Sequence, residues 1–445
     1  MKFRKFGKTV LTAALSSAIV FSLSSCVRSF TVGYLYVTGT VTATPTGNGI
    51  ISGFKIDNNT GALKPIHGLP IGSGGANPVR ALLLSGGNFV YVLNRGAHAD
   101  GSTNCTAADP CQGSNITEFA VGGNGSLSFQ QTFFTQGLNP FRLLSDTSGG
   151  YLFALDHDAP SNAYCGTVVA GATSCGDVTV FQVNSTTGRL TLVTNGQLTA
   201  STGSQVAYFP IPADPIDFTF ASSYVMTMSG QPGSAQTVYP YSYNSGNGQL
   251  TTTQSTPQVI NNGFGTPMGQ GTAIVSASGK VYILDNEATP TNSTPGQILP
   301  FTIGTNGALN ALVGGAAAPD DVTETDPIYL MVESKGKFLY VANQQGFGST
   351  NGSGIAIYVI DPSSGQLSEA PGSPVPTAGS GAIPQCLLED PSNQYIYTAN
   401  AGSSNVTGHV FDPKSGQLTQ MKGAGGGTTA INGPATWCFV SGRTD

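Results

Sequence analysis

Charge is what this chain has least of. Only 9% of its 445 residues are charged, and 17 basic against 23 acidic side chains leave a net charge of −6. No basic footprint exists, so nucleic acid is excluded as a partner. Histidine occurs four times, scattered, and no two of the seven cysteines form a C-x-x-C pair. That excludes an ordinary zinc site, and no metal or other cofactor is expected. No Ser-His-Asp set and no Gly-x-Ser-x-Gly turn can be assigned. After residue 25 no apolar run approaches the length of a membrane-spanning helix.

Glycine and proline, by contrast, are plentiful at 60 and 27 residues. They punctuate a repeated unit that is clearest over residues 337–367. An aromatic and β-branched run, 338–343, reads as a short buried strand. A polar loop leads to a second apolar run, 355–360, and Ser364-Gly365 makes a tight turn into a third strand at Leu367. Copies of the first run begin at Tyr34, Phe89, Tyr151, Tyr224, Val281 and Tyr395. The turn recurs as x-Gly-x-Leu with its glycine at 61, 125, 188, 248, 307, 365 and 416. After each turn comes an x-Pro pair and another short apolar run. Seven units of four strands predict an all-β fold, a seven-bladed β-propeller.

The ends of the chain predict how the ring closes. The first unit starts at Tyr34 without an x-Pro strand, and the last x-Pro, Gly433-Pro434, opens a strand with no unit after it. The C-terminal strand should therefore be the innermost strand of the N-terminal blade, which removes an open edge. With strands A to D counted outward, the D–A and B–C connections share one face, the top. The insertions 95–115 and 157–177 are B–C loops, so they decorate that face.

Residues 1–25 read as a lipoprotein signal peptide: Lys2, Arg4, Lys5 and Lys8, then an apolar stretch, then Leu23-Ser24-Ser25-Cys26. Cys26 is the expected lipidation site, residues 26–33 a short tether, and 34–445 the propeller. The protein is expected to be exported and lipid-anchored to the cell envelope, at the outer membrane in a didermal cell. Seven residues separate Cys26 from Tyr34, a reach of about 25–30 Å at most, so the bottom face should lie close to the membrane. Cys105–Cys111 and Cys165–Cys175 are the simplest disulfides in an oxidising compartment. For Cys386 and Cys438 two readings stand, a disulfide or two buried thiols.

The Tyr-x-Tyr-Val strand, the Gly-x-Leu turn and the x-Pro strand resemble those of the lactonase family of seven-bladed propellers, which includes 6-phosphogluconolactonase-like and YVTN-repeat proteins. The resemblance spans residues 34–440 and implies the fold, with lactone hydrolysis or cyclisation as the activity. Asn77-Pro78, Asn139-Pro140 and Asp326-Pro327 stand where family members commonly carry His-Pro. Candidate chemistry lies at the top of the channel. The second residue after each proline repeats in position: Arg80, Arg142, Asp217, Gly269, Tyr329, Cys386 and Thr436. Arg80 and Arg142 are read as an anion clamp or as partners of Asp217. Tyr329, Asp156 and Glu287 join them as ligand-binding candidates, and His157, between two aspartates, is the candidate general base. The favoured reading is a module binding a small acidic ligand, a glycan or a protein through its top face. The alternative is a lactone hydrolase or cyclase at the channel mouth.

Overall fold

The computed structural model describes residues 29–41, 48–98, 102, 105–106, 108–261, 271–286, 296–312, 325–347, 352–377, 382–422 and 427–442. Seven antiparallel sheets make a ring of seven blades. Their inner strands are Ala435–Gly442 in blade 1, Pro78–Leu83 in blade 2, Leu138–Ser145 in blade 3 and Pro215–Ala221 in blade 4. Blades 5 to 7 contribute Gly271–Ala277, Thr325–Val332 and Pro384–Glu389. The C-terminal strand pairs antiparallel with Thr31–Thr40, matching Leu35 to Val440 and Val37 to Cys438, so blade 1 is completed by the far end of the chain. In five blades the outer edge is two short strands sharing one C strand, as Leu63–Pro65 and Ile71–Ala76 do on Asn48–Asp57. Breaking an exposed edge this way limits its capacity to recruit another strand.

The repeat exists because each copy packs on the next blade. The apolar core lies between sheets: Tyr34, Tyr36, Val90, Val92 and Phe119 of blades 1 and 2 form one such cluster. In five blades the residue two into the B-strand motif is a tyrosine that donates its hydroxyl to the carbonyl of the turn glycine one blade on. Tyr36 reaches Gly125 at 2.8 Å, Tyr282 reaches Gly365 at 3.0 Å, Tyr340 reaches Gly416 at 2.8 Å and Tyr397 reaches Gly61 at 2.6 Å; Tyr91 bonds Gly188 likewise. The first residue of the motif packs against that same glycine and is aromatic in six blades of seven. A side chain on Gly125 would collide with the Tyr34 ring, and at φ 81° the turn favours glycine in any case.

All three disulfides form: Cys105–Cys111, Cys165–Cys175 and Cys386–Cys438. The last answers the question the sequence leaves open. It ties the inner strand of blade 7 to the C-terminal strand of blade 1, across the seam where the ring closes. Two inner strands depart from the expected register. In blade 1 Ala435, not Pro434, takes the place of the strand-opening proline, so Trp437 rather than Thr436 stands in the ring of inner positions. In blade 5 Gly271 opens the strand and Ala273 takes the position expected of Gly269, which lies outside the described residues. The leader, Cys26 and Glu287 lie outside them too. No described helix is long and apolar enough to cross a membrane.

Candidate functional site

Each inner strand begins with a local irregularity. Asn77 and Asn139 take left-handed φ of 52° and 56°, the next residue is proline, and the pairing slips between Pro78 and Arg80 and between Pro140 and Arg142. Such a bulge re-aims the residue that follows it. The seven residues at this position are Arg80, Arg142, Asp217, Ala273, Tyr329, Cys386 and Trp437. Sequence counting found five of them. It missed Trp437, whose one signal was that the chain has no other tryptophan.

The two arginines sit on adjacent inner strands but have different partners. Arg142 Nε lies 3.1 Å from Asp217 Oδ1, the pair being 21% and 17% exposed. The other Asp217 oxygen accepts the Ile274 N–H at 3.1 Å, so this carboxylate ties blades 3, 4 and 5 together. Arg80 instead lies 3.8 Å over the Trp437 ring, a cation–π contact. Trp437 donates Nε1–H to the Ala81 carbonyl at 3.0 Å and meets Tyr329 edge-on at 5.1 Å across the channel. Arg80 Nη1 donates to the Val79 carbonyl at 2.8 Å. Among the described residues no carboxylate lies within 4 Å of Arg80. Burial lowers its pKa well below the usual value and Arg142 adds to this, against a smaller pull from Asp217 and Tyr329. Burial also raises the Tyr329 phenol to about 12, keeping it a neutral hydrogen-bonding group.

Above this ring, blades 2 and 3 supply Arg95, Asn139, His157 and Asp158. Asn139 Nδ2 donates to Asp158 Oδ2 at 2.9 Å. His157 Nδ1 approaches Asp158 Oδ1 at 3.1 Å without hydrogen-bond alignment, as adjacent residues on a strand dictate, and the ring is 34% exposed. Burial pulls the Asp158 pKa upward, yet His157, Asn139 and Arg95 outweigh it and hold it below the ordinary value. Asp156, read from sequence as a rim residue, is fully buried between strands. It faces Asp177 in register, and the single Thr179 hydroxyl lies 2.9 Å from one carboxylate and 3.3 Å from the other. Burial raises Asp156 to about 7 and Asp177 well above its usual range, the charge of Asp156 adding to the second shift. Blades 2 and 7 place amides here: Asn94 donates to Asn115 and Thr117, Asn400 to Asn405 and Thr407. No group of three His, Cys, Asp or Glu among the described residues could hold a metal ion.

The site thus brings Arg80, Arg142, Asp217 and Tyr329 into one ring, sets His157 above it and leaves Asp156 behind the wall. A family model described as lactonase, seven-bladed β-propeller, matches residues 48–208 and 294–431. The chain belongs to the seven-bladed lactonase family. This lactonase-family propeller is similar to the periplasmic gluconolactonase of Pseudomonas aeruginosa, with 17% identity and a TM-score of 0.61 over 93% of this chain and 100% of that one. A candidate 6-phosphogluconolactonase from Bacteroides uniformis is similar at 15% identity and a TM-score of 0.62, over 92% and 99%. Identities so low carry the fold and not the activity. No curated protein matches the chain in sequence.

Proposed function

We propose that this lactonase-family propeller is a lipid-anchored module of the cell envelope that binds a small carboxylate- or phosphate-bearing ligand at the mouth of its channel. The observation that carries the reading is Arg80. Its neighbour Arg142 is neutralised by Asp217, whereas Arg80 has one face covered by Trp437, one N–H given to Val79, and no described carboxylate within 4 Å. A guanidinium in that state presents a fork of N–H donors suited to a bidentate anion. Low exposure strengthens the attraction, because little water screens it. The short path from Cys26 to the bottom of blade 1 supports a top face turned away from the membrane.

Calorimetry on the protein with gluconate, 6-phosphogluconate and inorganic phosphate tests it. Binding should weaken at high salt and fall at least about tenfold in Arg80→Ala, the loss of one charged hydrogen-bonding partner, while melting stays near wild type. Arg142→Ala should instead lower the melting temperature, since it strands the Asp217 carboxylate at a cost of about 1–3 kcal/mol after allowance for its residual exposure. Absence of binding to every anion would refute the reading. Membrane fractionation of Cys26→Ser tests the anchor, and unchanged fractionation would remove it. One observation favours a second reading, a lactone hydrolase: the His157 imidazole stands 3.1 Å from the Asp158 carboxylate beside the mouth. Turnover of a panel of lactones, lost in His157→Gln, would establish that reading.

A further inference from the structure

In six blades the first residue of the B-strand motif is an aromatic ring lying over the turn glycine of the next blade. In blade 5 the strand starts one residue before Val281, and the equivalent position is Lys280, whose aliphatic stem lies over Gly365. An unbranched chain covers less of the seam than a ring. Beside it, on the bottom face, is a cavity of ≈ 630 Å³. Lys335 and Lys337 line it from the A–B turn of blade 6, and Lys414 from the C–D turn of blade 7. Four of the seven lysines in the described residues thus converge on one cavity in a chain with little charge of any kind. No described carboxylate lies within 4 Å of any of the four ammonium groups, and Glu333 is engaged by the Lys335 and Lys337 backbone N–H groups. The nearby acids are bound into their own turns. Asp361 accepts the backbone N–H and hydroxyl of both Ser363 and Ser364, and Asp412 accepts the Lys414 N–H and the Ser415 hydroxyl. Phe338, Val359, Ile360 and Pro362 supply apolar wall between the lysines, and the turn-bound Asp361 is the one carboxylate in the lining.

We propose that this cavity is an anion site separate from the channel mouth, taking a phosphate ester that carries an apolar moiety. Ammonium groups on flexible stems hold phosphate as point charges, and the apolar walls favour an amphiphile over a bare ion. A phospholipid headgroup and a soluble phosphate ester share this chemistry. The N-terminal end of the described chain emerges on the same face. The Phe30 N–H donates to Asn58 Oδ1 at 2.9 Å and the Asn58 N–H to the Phe30 carbonyl at 3.0 Å, in the C–D turn of blade 1. A chain held to a surface through the residues before Ser29 turns the lysine cavity toward that surface.

The test uses the full chain in flotation with phosphatidylcholine vesicles, with and without phosphatidylglycerol, and in calorimetry with glycerol 1-phosphate. All variants share one N-terminal segment, so its contribution cancels between them. The Lys335→Ala/Lys337→Ala variant should lose binding by about 20–30-fold, about fivefold for each lysine. Lys280 is left in place because its stem packs on Gly365. The Arg189→Ala/Lys422→Ala variant removes the same charge from exposed positions off the cavity and should change binding less than about threefold. Preference for phosphatidylglycerol, lost in the double-lysine variant, assigns the site to a headgroup. Binding of glycerol 1-phosphate without vesicle preference, lost in the same variant, assigns it to a soluble ester. Binding of neither probe, or equal losses in the two double variants, overturns the proposal.

Discussion

The buried pair Asp156 and Asp177 gives the sharpest test of how this ring is held together. Both carboxylates are fully buried, they face each other in register, and between them Thr179 offers one hydroxyl proton. Two ionised carboxylates so close and so buried are the costliest state, and both groups are pushed toward the protonated form. Asp156 therefore holds its proton to about pH 7 in the folded chain, against about 3.9 in the unfolded one. Between those values the unfolded chain binds fewer protons than the native one, so stability falls as pH rises through that window. The slope is up to about 1.4 kcal/mol per pH unit for each proton, so Asp156 alone contributes up to about 4 kcal/mol across it and Asp177 acts in the same direction. The groups facing the pair from neighbouring positions are Asp158, whose charge adds to the shift of Asp177, and the Tyr208 phenol, which stays neutral here. Blades 2 and 7 show the remedy, since their paired asparagines supply an N–H where this pair needs a proton. Asp156→Asn/Asp177→Asn should match wild type near pH 4 and exceed it by about 2–4 kcal/mol at pH 8. Denaturant titrations of both proteins at pH 4, 5, 6, 7 and 8 measure the gap. His409, buried and shifted down to about 4, destabilises the fold as pH falls from 6.5, but equally in both proteins, so the difference is unaffected. Two curves that stay parallel from pH 4 to pH 8 would refute the retained protons.

Two further outcomes follow from the ring. Tyr340→Phe keeps the ring volume but takes a hydroxyl from the buried Gly416 carbonyl, and should cost about 1–3 kcal/mol; Tyr164→Phe, whose bond to Thr199 is exposed, should cost under about 0.5 kcal/mol, and equal effects by chemical denaturation would contradict the inter-blade role. Cys438→Ser opens a covalent loop whose ends are 52 residues apart and should destabilise by up to about 4 kcal/mol on the chain-entropy model, read as a lower melting temperature than that of the non-reduced wild type; an unchanged value would mean the seam does not limit stability.

How much of this was legible in the sequence depended on whether a feature recurs. Blade number, the closing strand and the two local disulfides were readable because they follow from spacing alone. Cys386–Cys438 was not, because whether two inner-strand thiols meet depends on the angle between blades at the seam. The channel ring was readable wherever a proline opens the inner strand. It failed at blade 5, where Gly271 opens the strand and Ala273 takes the position, and at blade 1, where Ala435 stands in the proline's place and Trp437 enters the channel. Asp156 looked like a rim residue because it ends a B strand. Alternation, which no motif records, turns its side chain between strands. Lys280 was unremarked because nothing in the sequence says that the first residue of each motif covers the glycine of the next blade.

The physics of a repeated ring explains why those exceptions carry the chemistry. The blades share a set of solutions: a tyrosine donor for the turn carbonyl in five of them, an aromatic cover for the turn glycine in six, and paired amides at the top of the B and C strands in blades 2 and 7. Where one departs, a group is left less well satisfied than its counterparts: a carboxylate pair short of a proton, a lysine in place of a ring, an arginine stacked on tryptophan without a counter-charge. A partner of defined chemistry would relieve each, a proton in the first case and, on the readings proposed above, an anion in the other two. A recurring residue such as Tyr340 is already satisfied within the fold and has nothing left to offer a ligand. The two sites proposed above, at the mouth near Arg80 and on the opposite face at Lys280, both lie where the symmetry of the ring is broken.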